Sequence, residues 1–314
     1  MYGNRKERMS KLKKLFLHPS MILIALDHKG LIRLSDELYL KIVFWNMLGR
    51  KLNLDMPETF NEKIQWLKLY DRKKCYTKMV DKAAVKQYLS KKIDKRFIIP
   101  SIGIYDSFDD IDFSALPNEF VLKCTHDSGS VFVCKNKKAF LNSSDFSVIR
   151  NKFTKALRKN YYYLWREWPY KNVKRRIVVE KYLDDIAGDV IDYKLMCFSG
   201  KVKYIFTCTE RFSDDGLKVT WFDLDWNKLD FERHYPASKK VIEKPKNLKK
   251  MIELAENLSA GIPFVRIDFY NIDGKIYFGE YTFYPGAGLE EFTPEIWDKK
   301  LGDLINLPEK RCEK

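Results

Sequence analysis

The sequence predicts an α+β fold, on three observations. Its 314 residues are 45% hydrophobic and 15% aromatic, far from the apolar-poor composition of a disordered chain and enough to bury a sizeable core. From Phe97 onward, short runs rich in β-branched and aromatic residues recur between polar breaks, the signature of strands. Helical stretches interrupt these runs at uneven spacing, without the regular alternation of a doubly wound sheet.

Taken in order, residues 1–53 read as a basic helical arm. Arg5, Lys6, Arg8, Lys11, Lys13 and Lys14 precede an apolar run from Leu15 to Leu26 that is broken by His18-Pro19-Ser20. The run falls short of the ~20 residues that span a bilayer and lacks an A-x-A cleavage pattern. It reads either as a surface helix or as one lying at a membrane interface, where a basic stretch beside apolar residues is at home. Leu31, Leu34, Leu38, Ile42 and Phe44-Trp45 continue apolar faces at helical spacing. Thr59 is placed to cap a helix carrying Phe60, Ile64, Leu67 and Tyr70, and Asp81 to cap another carrying Val85, Tyr88 and Leu89. Strands are expected over 97–105, 119–124, 130–134, 177–183, 193–198, 202–209, 264–270 and 276–283. Helices are expected near 151–164, 247–258 and 294–305, the last opened by Thr293-Pro294.

Charge and cysteine usage narrow the partners. Lys plus Arg number 58 against 43 Asp plus Glu, a net charge of +15, which favours anionic ligands such as nucleotides, acidic glycans, nucleic acid or lipid headgroups. The six cysteines form no C-x-x-C pair and only four histidines are present. A zinc framework is therefore not expected, and reduced thiols at a cytoplasmic address are.

Three segments carry candidate chemistry. In the first, Val265 to Gly286, period two puts Val265, Ile267 and Phe269 on one strand face and Arg266 and Asp268 on the other. A two-residue turn at Asp273-Gly274 would turn Glu280 away from Asp268. A three-residue loop, Asn271-Ile272-Asp273 with Gly274 as a G1 bulge, would instead pair Arg266 with Glu280 and leave Asp268 diagonal to it. Two carboxylates within reach of one divalent ion, beside an arginine, suit magnesium and a phosphate; the alternative is a solvated edge hairpin. In the second, Phe120 to Cys134, Lys123 ends a strand before a polar loop whose backbone amides can cradle phosphate. His126 in that loop is a candidate base or a bystander. No P-loop or G-x-G-x-x-G pattern is present. In the third, Ile177 to Asp185, an apolar strand ends abruptly in charge, where Glu180 can accept from an exocyclic amine.

In this order the segments resemble an ATP-grasp enzyme. More narrowly, Phe60-Asn-Glu-Lys-Ile-Gln-Trp-Leu-Lys-Leu-Tyr70, Lys123-Cys-Thr-His-Asp-Ser-Gly129, Asn160-Tyr-Tyr-Tyr163, Arg166-Glu-Trp-Pro-Tyr170 and Phe283-Tyr-Pro-Gly286 are similar to the TupA-like ATP-grasp family. That family is named for teichuronopeptide biosynthesis and sits among enzymes of capsule and cell-surface polysaccharide. The resemblance implies an ATP-grasp fold, two α+β subdomains gripping ATP, with the helical arm in front. Its divisions would be 1–53 (arm), 54–118 (a subdomain preceding the nucleotide grip), 119–176 (the phosphate-covering hairpin) and 177–314 (adenine hinge and magnesium hairpin).

Carried over residue by residue, the resemblance implies that Lys82 and Lys123 touch ATP phosphates and that Ser128, Gly129 and Ser130 cover them. Glu180 would bind the adenine amine, with Lys181 and Tyr182 offering backbone. Asp192, ahead of Asp184, would take the ribose, and Lys194 a phosphate. Asp268 and Glu280 would hold Mg2+, with Thr282 standing where the family pattern has Asn, a poorer ligand. Arg266 would stabilise an acyl phosphate. The implied activity is ATP- and magnesium-dependent joining of an amino acid or other amine to the carboxylate of an acidic glycan or lipid-linked sugar precursor. Aromatics at 161–163, 165, 168 and 170 would stack on sugar or pack internally. One rival is a nucleotide-sugar glycosyltransferase using Asp110-Ile-Asp112 or Asp223-Leu-Asp225. A nucleic-acid module is another, although no RNP-like run is present.

Overall fold

A computed structural model describes residues 20–183, 191–210, 213 and 216–310. Two antiparallel sheets frame the protein. The first, in the order β1-β4-β2-β3, is built from β1 (Ser101–Tyr105), β2 (Phe120–Cys124), β3 (Val131–Cys134) and β4 (Ile177–Lys181). The second, in the order β10-β9-β5-β6-β7, is built from β5 (Asp192–Phe198), β6 (Lys201–Thr209), β7 (Lys218–Phe222), β9 (Phe264–Ile272) and β10 (Lys275–Thr282). A two-stranded ladder joins β8 (Glu232–Arg233) to β11 (Phe292–Thr293).

Five helices precede the first sheet: α1 (Ser20–His28), α2 (Asp36–Leu48), α3 (Phe60–Tyr70), α4 (Lys74–Val80) and α5 (Ala84–Leu89). Thr59 and Glu62 close a reciprocal capping box on α3, as the spacing predicts. The Asp81 carboxylate accepts from the amides of Ala83 and Ala84 at the entry to α5. After β3 come α6 (Lys137–Leu141), α7 (Asp145–Leu157) and α8 (Tyr162–Trp165), and α9 (Leu248–Ser259) and α10 (Ile296–Asp303) follow later. Met251, Leu254, Ala255 and Leu258 give α9 one buried face against the second sheet.

Each sheet has its own apolar cluster. Phe120, Leu122, Ile177 and Val179 of the first pack with Phe140 and Phe153 from α6 and α7. The second sheet shares a larger cluster with α2, α3 and α9.

Four departures from the sequence reading have physical causes. The 1–53 segment is no appended arm where it is described: Tyr39, Leu40, Val43 and Phe44 are at most 1% exposed within the main cluster. A buried ion pair of 2.6 Å ties Asp27 to Arg166. The division at 176/177 cuts across the first sheet, because β4 pairs there with β1 and β2. The helix expected over 151–164 is α7, which starts earlier because Phe146, Ile149 and Phe153 share the face that meets the first sheet. It ends before Asn160, whose side chain accepts from the Tyr162 amide and starts α8 afresh. Finally β7, β8 and β11 were not anticipated, the last two being only two residues each.

Of the segment proposed for membrane contact, residues 1–19 lie outside the described residues, and Ile24 is buried. Among the described residues no helix is long and apolar enough to cross a membrane.

Candidate active site

Alternation along the strands sends one set of side chains to the clusters and the other to a cleft of about 340 Å³ between the two sheets. On β2, Phe120, Leu122 and Cys124 are buried in the cluster, which leaves Lys123 to the cleft. Val121 pairs with Glu180 of β4, so Lys123 and Glu180 are diagonal neighbours on one face. Their side chains meet at 2.7 Å, and Lys86 of α5 reaches the other oxygen of Glu180 at 2.6 Å. Lys86 also donates to the Ile99 carbonyl. Burial acts to raise the Glu180 carboxyl, but Lys123 and Lys86 outweigh it and hold it below the ordinary carboxylate range. Burial likewise lowers Lys86, with Glu180 pulling it back up. The sequence reading gave Lys86 no role, although it lies one helical turn beyond Lys82.

The polar loop after β2 divides between two cavities. Ser128 and Gly129 line the cleft, and Gly129 has a φ of 100°, a conformation suited to glycine. Lys82 clips the loop twice, its amide donating to Thr125 O and its ammonium to Asp127 O. Ser130 and His126 face a neighbouring recess instead. The Ser130 hydroxyl donates to the Asp127 carboxylate, and His126 Nε2 lies 3.1 Å from Ala156 O.

The second sheet supplies the acids. Lys194 pairs in register with Asp268, and Asp192 with Tyr270. The Lys194 ammonium is bonded to Asp268 and lies 3.7 Å from Asp192. Arg266 grips Asp268 through two bonds of 2.6 and 2.7 Å. The same Nη2 lies 3.3 Å from Glu280 and donates to Thr282 at 2.9 Å. Burial would raise Asp268, but Arg266 and Lys194 outweigh it and lower its pKa.

The hairpin reaches this arrangement by another route than the sequence reading gave. The turn has two residues, with Asp273 at φ 49° and Gly274 at φ 77°, as a type I′ turn requires. The bulge sits further along, where the pairing shifts between Phe278 and Tyr281. One extra residue there returns Glu280 to the face of Arg266 and Asp268, and Arg266 pairs with Thr282 rather than with Glu280. Gly279 permits the bulge, since a Cβ on it would stand 3.1 Å from the Asp268 carbonyl oxygen.

Beside the charged cleft lies an apolar slot of about 200 Å³ lined by Val121, Val131, Val133, Leu183 and Ile272. Glu180, Lys181 and Tyr182 form one edge of it. The Lys181 amide is already engaged, donating to Pro100 O. Asp184 lies outside the described residues.

Asp268 and Glu280 share one guanidinium nitrogen, so a cation in that position would meet both carboxylates. Among the described residues no three His, Cys, Asp or Glu side chains gather as ligands. The pair therefore suits magnesium, which is held by one or two carboxylates together with phosphate oxygens and water.

Sequence reasoning missed a buried pair behind this face. Burial pushes Glu167 up to about 7, with Lys68 acting to lower it and Glu280 to raise it. Burial lowers Lys68 to about 8, and its ammonium donates to Gln65 and to the carbonyls of Trp165 and Ala287. The Asp-x-Asp triplets serve in turns: Asp112 accepts from the Ser114 amide, Asp110 from Ser107, and Asp223 from Asp225 and Asn227.

The sequence profile described as TupA-like ATPgrasp matches residues 62–306. No curated protein sequence matches the chain. Among solved structures, D-alanine–D-alanine ligase from Bacillus anthracis, complexed with ATP, is similar at a TM-score of 0.42 and 18% identity, covering 72% of this chain and 64% of that one. The chain thus spans less than two-thirds of that protein's length. The Helicobacter pylori D-alanine–D-alanine ligase has a TM-score of 0.39 and 15% identity, over 79% of this chain and 69% of that one. A RimK domain ATP-grasp protein from Sphaerobacter thermophilus has a TM-score of 0.40 and 11% identity, over 75% and 70%.

Proposed function

The chain belongs to the TupA-like ATP-grasp family, and from that premise we propose that it is an ATP- and magnesium-dependent ligase joining an amine to the carboxylate of a surface polysaccharide or its precursor. The observation that supports this best is the meeting of Lys82, Lys86, Lys123 and Lys194 with Glu180, Asp192, Asp268 and Glu280 in one cleft beside an apolar slot.

In this reading the slot takes the adenine, with Glu180 at its edge accepting from the exocyclic amine and Asp192 taking the ribose. Lys82, Lys123 and Lys194 face the phosphates, which Ser128 and Gly129 cover. Lys123 exchanges its bond to Glu180 for a phosphate oxygen, and Lys86 keeps Glu180 ionised when it does. Asp268 and Glu280 would hold magnesium, whose charge would offset that of the transferring phosphoryl group. Arg266 lies beside them, where negative charge develops on an acyl phosphate and on its tetrahedral successor.

An acceptor carboxylate labelled with a heavy oxygen isotope tests the chemistry. Phosphorylation of the carboxylate followed by amine attack leaves one labelled oxygen in the released phosphate, together with ADP and an amide. ADP release with no label in the phosphate would exclude the acyl-phosphate route. Transfer of sugar from a nucleotide sugar without ATP would favour the glycosyltransferase reading.

A further inference from the structure

Behind the polar loop lies a second recess, about 820 Å³ in volume. The loop borders both cavities: Ser128 and Gly129 line the cleft, while Asp127 and Ser130 line the recess. Tyr161 lines the recess too.

The rim of the recess is strongly basic. Seven lysines and arginines line it against one carboxylate, that of Asp127. Lys29 and Arg33 come from the segment after α1, and Lys155, Arg158 and Lys159 from the end of α7. All five are exposed, and no ion pair with a described carboxylate is recorded for them. The wall has the opposite chemistry. His126 is 1% exposed and its Nδ1 has no hydrogen-bond partner, nor has Asp127 Oδ1. Burial lowers the pKa of His126 and so favours the neutral ring. With Nε2–H donating to Ala156 O, Nδ1 is left as an acceptor. A basic rim over two unsatisfied acceptors calls for a ligand that carries both anionic groups and hydroxyl donors.

We propose that this recess binds an anionic carbohydrate and is the acceptor subsite beside the nucleotide cleft. The cations at the rim hold its charged groups, and sugar hydroxyls donate to His126 and Asp127. As a subsite for the acceptor, the proposal rests on the ligase reading; as a carbohydrate site, it does not.

The test is calorimetric binding to the full chain of an oligogalacturonate, UDP-glucuronate, a neutral oligosaccharide and a single-stranded oligonucleotide, with ATP–magnesium stabilisation measured in parallel. The oligogalacturonate or UDP-glucuronate is expected to bind and the neutral sugar not to. Binding of the oligogalacturonate shows that carboxylates suffice, and binding of UDP-glucuronate alone shows that the diphosphate is needed. The triple variant Lys155→Glu/Arg158→Glu/Lys159→Glu should weaken that binding roughly tenfold or more and leave ATP stabilisation intact. His126→Ala should weaken it without changing its salt dependence. Unchanged affinity in the triple variant, or an oligonucleotide that binds as well as the sugar, overturns the site. ATP stabilisation without any anionic sugar binding removes the subsite and leaves the ligase reading standing. Sugar binding without ATP stabilisation does the reverse.

Discussion

Glu167→Gln probes the buried pair behind the cleft. Glu167 is 8% exposed, and burial lifts its carboxyl from the ordinary 4.5 to about 7. Because the folded value is raised, its contribution to stability is fully present below about 4.5 and is lost as pH rises towards 7. At about 1.4 kcal/mol per pH unit, that gap corresponds to about 3 kcal/mol. Lys68, at about 8 in the fold, stays charged in folded and unfolded chains below pH 7 and adds nothing to the slope there. The assay is urea unfolding of wild type and variant at steps across this window, taking the difference so that other carboxylates cancel. Wild type should lose about 3 kcal/mol relative to Glu167→Gln between pH 4.5 and 7. A difference that stays flat would mean that Glu167 ionises as it does in water and that burial does not govern it.

Three other substitutions follow from the geometry. Asp27→Asn leaves the Arg166 guanidinium, 1% exposed, with Asp36 at 3.2 Å as its remaining carboxylate; it should cost about 3 kcal/mol and lower the thermal midpoint by roughly 5 °C or more, read by calorimetry. Gly279→Ala forces a Cβ to 3.1 Å from the Asp268 carbonyl oxygen of the neighbouring strand, a strain of about 1–3 kcal/mol in the same experiment. Lys86→Met removes one of the two cations on Glu180; ATP affinity by calorimetry should fall roughly tenfold or more with the circular dichroism spectrum unchanged.

Much of the fold follows from local periodicity and can be read from it. Alternation in 120–124 and 264–269 identifies which residues meet the apolar clusters and therefore that Lys123, Arg266 and Asp268 do not, while Glu180 shows only as the point where an apolar strand turns to charge. Thr59 and Glu62 carry their capping box in plain spacing. What escaped depends on contacts distant in sequence. Lys86 acquires its role only where β4 brings Glu180 to it. The bulge between Phe278 and Tyr281 is set by the pairing of β10 along β9, and turn residues alone do not reveal it. Polarity likewise does not say which side of the loop Ser130 and His126 face. The packing of the described part of the amino-terminal segment is likewise invisible to local periodicity, because the partner of Asp27, Arg166, lies far along the chain.

Glu280→Gln is a better probe of the nucleotide reading than a change at Asp268. Asp268 holds both Arg266 and Lys194, so its loss strands two buried cations, whereas the Glu280 side chain is 41% exposed. The decisive measurement is the thermal stability of the full chain with ATP, GTP or UDP-glucuronate, with and without magnesium, in wild type and Glu280→Gln. A ligand that binds only the folded protein raises its midpoint. The account predicts stabilisation by ATP in preference to GTP that depends on magnesium in wild type and loses that dependence in Glu280→Gln. Stabilisation by UDP-glucuronate with none by ATP would contradict it.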